Sequence, residues 1–331
     1  MENEQQQKRR GRSVVSNIVT TAAVAYSAYQ LGSWAWNQYC SAGNHTKPEN
    51  WKERRTRLRN CRLDVRRTLC RFLPTIRTIV EERIPTKGPT QALKALRADS
   101  GDSAKQEVLW EILRTRFLTR LLVTAYSYTL LSLILTVQVH YLASRRPEHG
   151  SSEHQHALRQ TYEYFFETGM VSLIRTVERA VCECGDTDVR QCLSKQDVGA
   201  MIEAIRQQVE GIKRKRSLLR FIMSPAAYGL SDERSHLFDA MWDIMESPVM
   251  KDAESDALGF LFDKLQESGW GTAFEDASSK KPLASIIPMF KNSVNQIIQT
   301  NEDDLEYLTA IQDLPTVLEL ADVSFTPDSR R

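Results

Sequence analysis

From Ala104 to Arg146 the chain contains neither glycine nor proline. Inside that run, LLVTAYSYTLLSLILTVQVHYLA (Leu121 to Ala143) carries no Asp, Glu, Lys or Arg. An unbroken helix over the whole run would be about 60 Å long at 1.5 Å per residue. A helix that is apolar all round is either a membrane span or the buried centre of a large fold. Two features favour burial. Thr124, Ser127, Thr129, Ser132, Thr136 and Gln138 are scattered along it, and such side chains can bond back to the helix or to neighbours in a protein interior. A crossing here would also separate apolar stripes before and after it, and these stripes need partners and can cover this helix on all sides. The run is therefore read as a central core helix. A two-span membrane protein is the competing architecture.

The remainder is also helical in pattern. With 14 Gly and 11 Pro in 331 residues and 3.6-residue rather than alternating periodicity, the expectation is an all-α protein, a single large helical bundle around the long central helix. The segment ERRTRLRNCRLDVRRTLCRFLPTIRTIVEERI has one apolar stripe, Leu58, Val65, Leu69, Phe72, Ile76 and Ile79, with a bend expected at Pro74. PTKGPT, Pro85 to Thr90, breaks the chain, and a short helix carrying Leu93 and Leu96 follows. Further amphipathic helices are expected near Tyr162–Val181, Lys195–Met223, Glu233–Met245, Asp252–Gln266, Leu283–Gln299 and Glu302–Ala321.

Ahead of all this, Lys8, Arg9, Arg10 and Arg12 precede a stretch without charge from Ser13 to Thr46. Its length suits a membrane span, and Trp34, Trp36 and Tyr39 sit at its end as an interfacial aromatic belt would. A secretory signal peptide is the alternative, but bulky aromatics occupy the place where small cleavage-site residues belong. The organisation read from the sequence is a basic tail (1–12), a membrane anchor (13–39), a linker (40–51), a helical domain (52–322) and a disordered tail (323–331). Lys47, Lys52, Arg54, Arg55, Arg57 and Arg59 follow the anchor, and this excess favours a cytosolic main domain. Glycosylation of the sequon Asn44-His45-Thr46 would contradict that placement.

Charge and chemistry narrow the function. A net charge of +2 says nothing about partners, but the arginine-rich helix does locally. Arg54, Arg55, Arg57 and Arg59 are candidates for contact with anionic membrane lipid. A solvated helix face remains the plain alternative, and nucleic acid is not expected because no stacking or reading motif accompanies the charge. Six cysteines over this length fit a reducing compartment rather than a disulfide framework. Cys182-x-Cys184 with Cys192 matches no zinc spacing. No phosphate loop, metalloprotease pair or nucleophile elbow occurs. No enzyme activity, cofactor or metal is expected, although a metal enzyme built on the Cys182 cluster is the rival reading. His149, His154 and His156 read as a polar loop, and Lys213 to Arg216 as a solvated basic run.

Taken in order, FLPTIRTIVEERI, the Leu93–Leu96 helix, KQEVLWEILRTRFLTRLLVTAYSYTLLSLILTVQVHYL, MWDIMESPVM and KPLASIIPMFKNSVNQI resemble the peroxin-3 family of peroxisome biogenesis factors. The resemblance implies one N-terminal anchor in a peroxisomal or glycosomal membrane and a cytosolic helical bundle, here expected as a monomer. It also implies a groove that captures the N-terminal helix of the chaperone peroxin-19. The position matching the family's groove tryptophan is Trp110, and Leu93 and Leu96 match the leucine-containing helix beside it. Independently, Trp110, Leu113 and Phe117 form one stripe at i, i+3 and i+7, a suitable wall for helix-in-groove binding. For Leu113 and Phe117, simple core packing is the equal alternative.

Overall fold

The computed structural model describes residues 51–98, 103–144, 161–184, 187–213, 218–223, 233–276, 279–299 and 305–325. The expected basic tail, anchor, sequon and His149–His156 loop lie outside the described residues. Among the described residues the elements in chain order are α1 (Trp51–Arg83), α2 (Lys87–Ala98), α3 (Ser103–Ser144), α4 (Met170–Cys184), β1 (Cys192–Ser194), α5 (Lys195–Lys213), α6 (Glu233–Glu246), α7 (Pro248–Lys264), β2 (Lys280–Pro282), α8 (Leu283–Ile297), α9 (Glu306–Gln312) and α10 (Pro315–Phe325). This is the expected all-α bundle.

Its axis is α3. Helices α1, α2, α4, α6, α7, α8 and α10 all pack against it, and every residue from Leu121 to Tyr141 is buried. The most apolar window of α3 is long and hydrophobic enough to cross a bilayer, yet it lies wholly inside the protein. The polar side chains in its second half follow the course expected of a protein interior, whereas the buried hydroxyls of Thr124, Ser127 and Thr129 have no hydrogen-bond partner among the described residues. Ser132 Oγ donates to Tyr128 O at 2.7 Å, Thr136 Oγ1 donates to Ser132 O at 2.8 Å, and His140 Nδ1 meets Thr136 O at 2.7 Å. These form a ladder along one face, each group bonding one turn back. Gln138 accepts a hydrogen bond from the Tyr162 hydroxyl.

Local chemistry explains most boundaries. The α1–α2 break falls at residues 84–86, so Gly88 and Pro89 belong to the first turn of α2, where a missing N–H costs nothing. Ser247 caps α7, its hydroxyl accepting from Met250 N at 3.2 Å, with Pro248 as the first helical residue. Ser194 and Asp197 cap α5 reciprocally, Ser194 N donating to Asp197 Oδ2 at 2.8 Å and Asp197 N to Ser194 Oγ at 3.2 Å.

Three expectations need correction. The helix expected from Lys195 to Met223 divides, because α5 ends at Lys213 and Leu218–Phe221 forms a separate 3₁₀ turn. That turn is held by a close approach: a Cβ on Gly169 would lie 1.7 Å from the Phe221 carbonyl oxygen. The helix expected over Glu302–Ala321 is two helices, parted at Asp313 and restarted by Pro315. Ordered structure continues past the boundary set at 322: α10 runs to Phe325, whose buried ring lies under the Arg57 guanidinium at 5.0 Å. The short antiparallel pair β1–β2, Leu193 opposite Lys281, was not expected. It joins the starts of α5 and α8.

Candidate functional site

The five residues expected to line a groove fall on α2 and the first turns of α3, two helices that pack against each other. Leu93, Leu113 and Phe117 are buried in the core, so they can form a floor but offer little surface. Leu96 and Trp110 are half-buried, with Trp110 packed on the edge of the core beside Leu109. The most exposed large apolar side chain of this region is Val108, at 55%. It lies one turn before half-buried Ile112, and roughly 200° around the helix from Trp110 at 100° per residue. The amphipathic end of α3 therefore shows solvent two apolar edges. Sequence reading followed only the Trp110 stripe, although Val108 and Ile112 were visible at i and i+4.

Arginines of α3 set the α2 geometry. Arg120 Nε donates to Ile84 O at 2.7 Å and its Nη2 to Glu81 O at 3.4 Å, while Arg116 donates to Pro85 O. These carbonyls close α1 and its turn, where a helix leaves acceptors without partners. Burial lowers the Arg120 pKa, and neighbouring Glu81 opposes that shift. The other flank is tied by Arg114 to Thr187 O and by Arg190 to Glu107 at 3.3 Å. The α2–α3 surface thus rests on α3, which is hydrogen-bonded to the end of α1 and to Thr187.

The basic helix α1 divides its arginines between two tasks. Arg54 pairs with Asp322 at 2.6 Å, and Arg57 donates to Ala143 O in the last turn of α3. Arg62 pairs with Asp313, Arg66 Nε donates to Gln312 Oε1 at 3.1 Å, and Arg77 donates to Ile298 O at 2.8 Å. These five clasp the C-terminal helices. Of the four expected lipid contacts, Arg54 and Arg57 serve that clasp, whereas Arg55 and Arg59 are exposed.

Two buried ionisable groups lie nearby. Burial pushes the Asp64 carboxyl up to about 6 against the opposing pull of Arg67, and pushes His140 down to about 4. Cys182 and Cys192 are exposed and Cys184 is half-buried. Among the described residues, no group of three or more His, Cys, Asp or Glu could hold a metal ion. Of the basic run Lys213–Arg216, only the backbone of Lys213 lies among the described residues, as the end of α5.

No family model matches the chain. It is similar to peroxisomal biogenesis factor 3 of Rattus norvegicus, 24% identical over 274 residues that cover 70% of this chain and 72% of the relative. The same protein of Bos taurus is 24% identical over 275 residues, and that of Mus musculus 23% over 274, at the same coverage. These similarities agree with the resemblance carried by the ordered segments of the sequence.

Proposed function

We propose that this chain is a peroxisome biogenesis factor acting as a docking receptor in the peroxisomal or glycosomal membrane. It works by binding, not catalysis. The anchor at 13–39 holds the helical domain on the cytosolic side. The α2–α3 surface takes up the N-terminal amphipathic helix of peroxin-19, which brings membrane proteins for insertion. Trp110 and Leu96 contact the incoming helix, and Leu93, Leu113 and Phe117 shape the floor beneath it. Arg55 and Arg59 face anionic lipid.

The observation that carries this reading is the similarity to peroxisomal biogenesis factor 3 over 70% of the chain. The half-buried Trp110, at the edge of the core on α3 beside α2, supports the placement of the site. A tryptophan at such an edge combines a large apolar area with few rotatable bonds, and its truncation at an interface costs about 2–4 kcal/mol.

The test is binding of a fluorescent peptide from the peroxin-19 N-terminal helix to the full chain in lipid nanodiscs. Saturable binding that weakens at least about tenfold in a folded Trp110→Ala variant supports both the role and the site, since 1.4 kcal/mol is a factor of ten. No binding by the folded wild type removes the docking role. Equal binding by wild type and variant moves the site away from Trp110, with the Val108–Ile112 edge next to be substituted.

A further inference from the structure

With five arginines of α1 turned toward the C-terminal helices, the others, apart from Arg83 at its end, form a pattern on its outer side. Arg55, Arg59, Leu63, Arg67 and Arg71 recur every fourth residue, and all are exposed. At 100° per residue the row turns about 40° at each step and so winds roughly 160° around the outer side of α1 from Arg55 to Arg71, over about 24 Å at 1.5 Å per residue, with Arg59, Leu63 and Arg67 at its centre. The side chains of Arg55, Arg59 and Arg71 make no ion pair or hydrogen bond among the described residues. The one acid between them, Asp64, is buried and lies 3.7 Å from Arg67. Like charges at i and i+4 destabilise a helix, so the pairs Arg55–Arg59 and Arg67–Arg71 weaken the isolated fold. Leu63 sits within it at 39% exposure, and Trp51, at 66%, stands at its head.

We propose that this ridge lies lengthwise on an anionic phospholipid surface, so that α1 runs parallel to the bilayer and sets the orientation of the whole bundle. The inference rests on the anchor in the proposed function, because α1 begins only 12 residues after residue 39 (51 − 39). A bilayer fits the ridge better than other polyanions do. A flat sheet of phosphates meets Arg59, Leu63 and Arg67 at the centre of the row, and the long side chains of Arg55 and Arg71 on its two flanks reach the same sheet without needing a fixed spacing. The exposed tryptophan and leucine suit the interfacial layer. Nucleic acid would call for stacking or base-reading groups along the row, and the exposed side chains between Arg55 and Arg71 include no aromatic residue. The buried stripe of α1 and its clasping arginines hold the helix to the bundle, so contact of its outer side with a membrane orients the whole bundle.

The experiment uses the full chain in vesicles of phosphatidylcholine, with or without phosphatidylserine. Cys40, Cys182, Cys184 and Cys192 are replaced by serine, buried Cys61 and Cys70 are retained, and a polarity-sensitive fluorophore is attached through Leu63→Cys. The expected result is a dehydrated label, quenched by lipids carrying a nitroxide near the headgroup, only when phosphatidylserine is present. Arg59→Glu with Arg71→Glu should reverse it. Removing each arginine lowers the docked-to-undocked ratio about fivefold, the equivalent of about 1 kcal/mol. A label that stays hydrated on phosphatidylserine vesicles overturns the proposal. So does equal quenching on neutral vesicles, because the anchor alone would then hold the label there. An equal response to single-stranded RNA without lipid would reassign the ridge to nucleic acid. Peroxin-19 peptide binding, measured on the same samples, reports the α2–α3 surface separately, so the two readings fail independently.

Discussion

Two buried groups with opposite shifts should mask each other in the pH dependence of stability. His140 has its folded pKa lowered by burial to about 4 from 6.5. The unfolded chain therefore takes up a proton first as pH falls, and His140 withdraws stability from about pH 6.5 downward, with the loss complete below pH 4. Asp64 has its folded pKa raised by burial to about 6 from 3.8. Here the folded chain takes up the proton first, so the group adds stability as pH falls through 6. Between about pH 7 and pH 5, linkage gives a loss of about 2 kcal/mol from His140 and a gain of about 1 kcal/mol from Asp64. The wild type should therefore lose only about 1 kcal/mol from this pair. Asp64→Asn should expose the full loss of about 2 kcal/mol, and His140→Gln should leave a gain of about 1 kcal/mol. Urea unfolding of the full chain in neutral detergent, followed by helical circular dichroism at both pH values, measures these differences. Other carboxylates contribute equally to all three proteins and cancel. If Asp64→Asn has the wild-type pH dependence, the carboxyl is not held protonated by burial and the reasoning fails.

Two other substitutions probe the packing directly. Gly169→Ala would place a methyl group 1.7 Å from the Phe221 carbonyl oxygen. The 3₁₀ turn must then move, and stability should fall by about 3 kcal/mol, read as a shift of the urea midpoint. The Thr124 hydroxyl is fully buried and has no hydrogen-bond partner among the described residues. Thr124→Val, close to it in shape, should leave stability unchanged or raise it by about 1 kcal/mol, and a loss above 1 kcal/mol in the same assay would reveal a bond not accounted for.

Helices whose apolar positions kept one period were legible in advance, as with α1 and α8, and α3 was legible from its lack of charge and of helix breakers. Where a local signal interrupted the period, the reading went astray. Pro315 marks a helix start, yet the apolar spacing carried the expected helix across it. The 3₁₀ turn at Leu218–Phe221 depends on Gly169, nearly fifty residues earlier, and no local pattern encodes that approach. The same holds for β1–β2, two three-residue strands nearly ninety residues apart in the chain that pair at the starts of α5 and α8. At the candidate site, Trp110 stood out by residue type and spacing, but the burial of Leu113 and Phe117 depends on which helices cover α3.

The sequence by itself determined the axis of the fold. An uncharged run without helix breakers, with small hydroxyl side chains of which Ser132 and Thr136 bond one turn back, can be enclosed by amphipathic helices, and the chain supplies those helices. It also determined that α1 would be crowded with arginine. Only the tertiary structure decided what each arginine does. Arg54 and Arg57 lie within two residues of Arg55 and Arg59, and nothing local distinguishes them. Each step along a helix turns the side chain by 100°. Neighbours in sequence therefore face different surroundings once α10 and the end of α3 come to rest against one side of α1. There the guanidiniums meet Asp322, Phe325 and the Ala143 carbonyl, and on the other side Arg55 and Arg59 face outward.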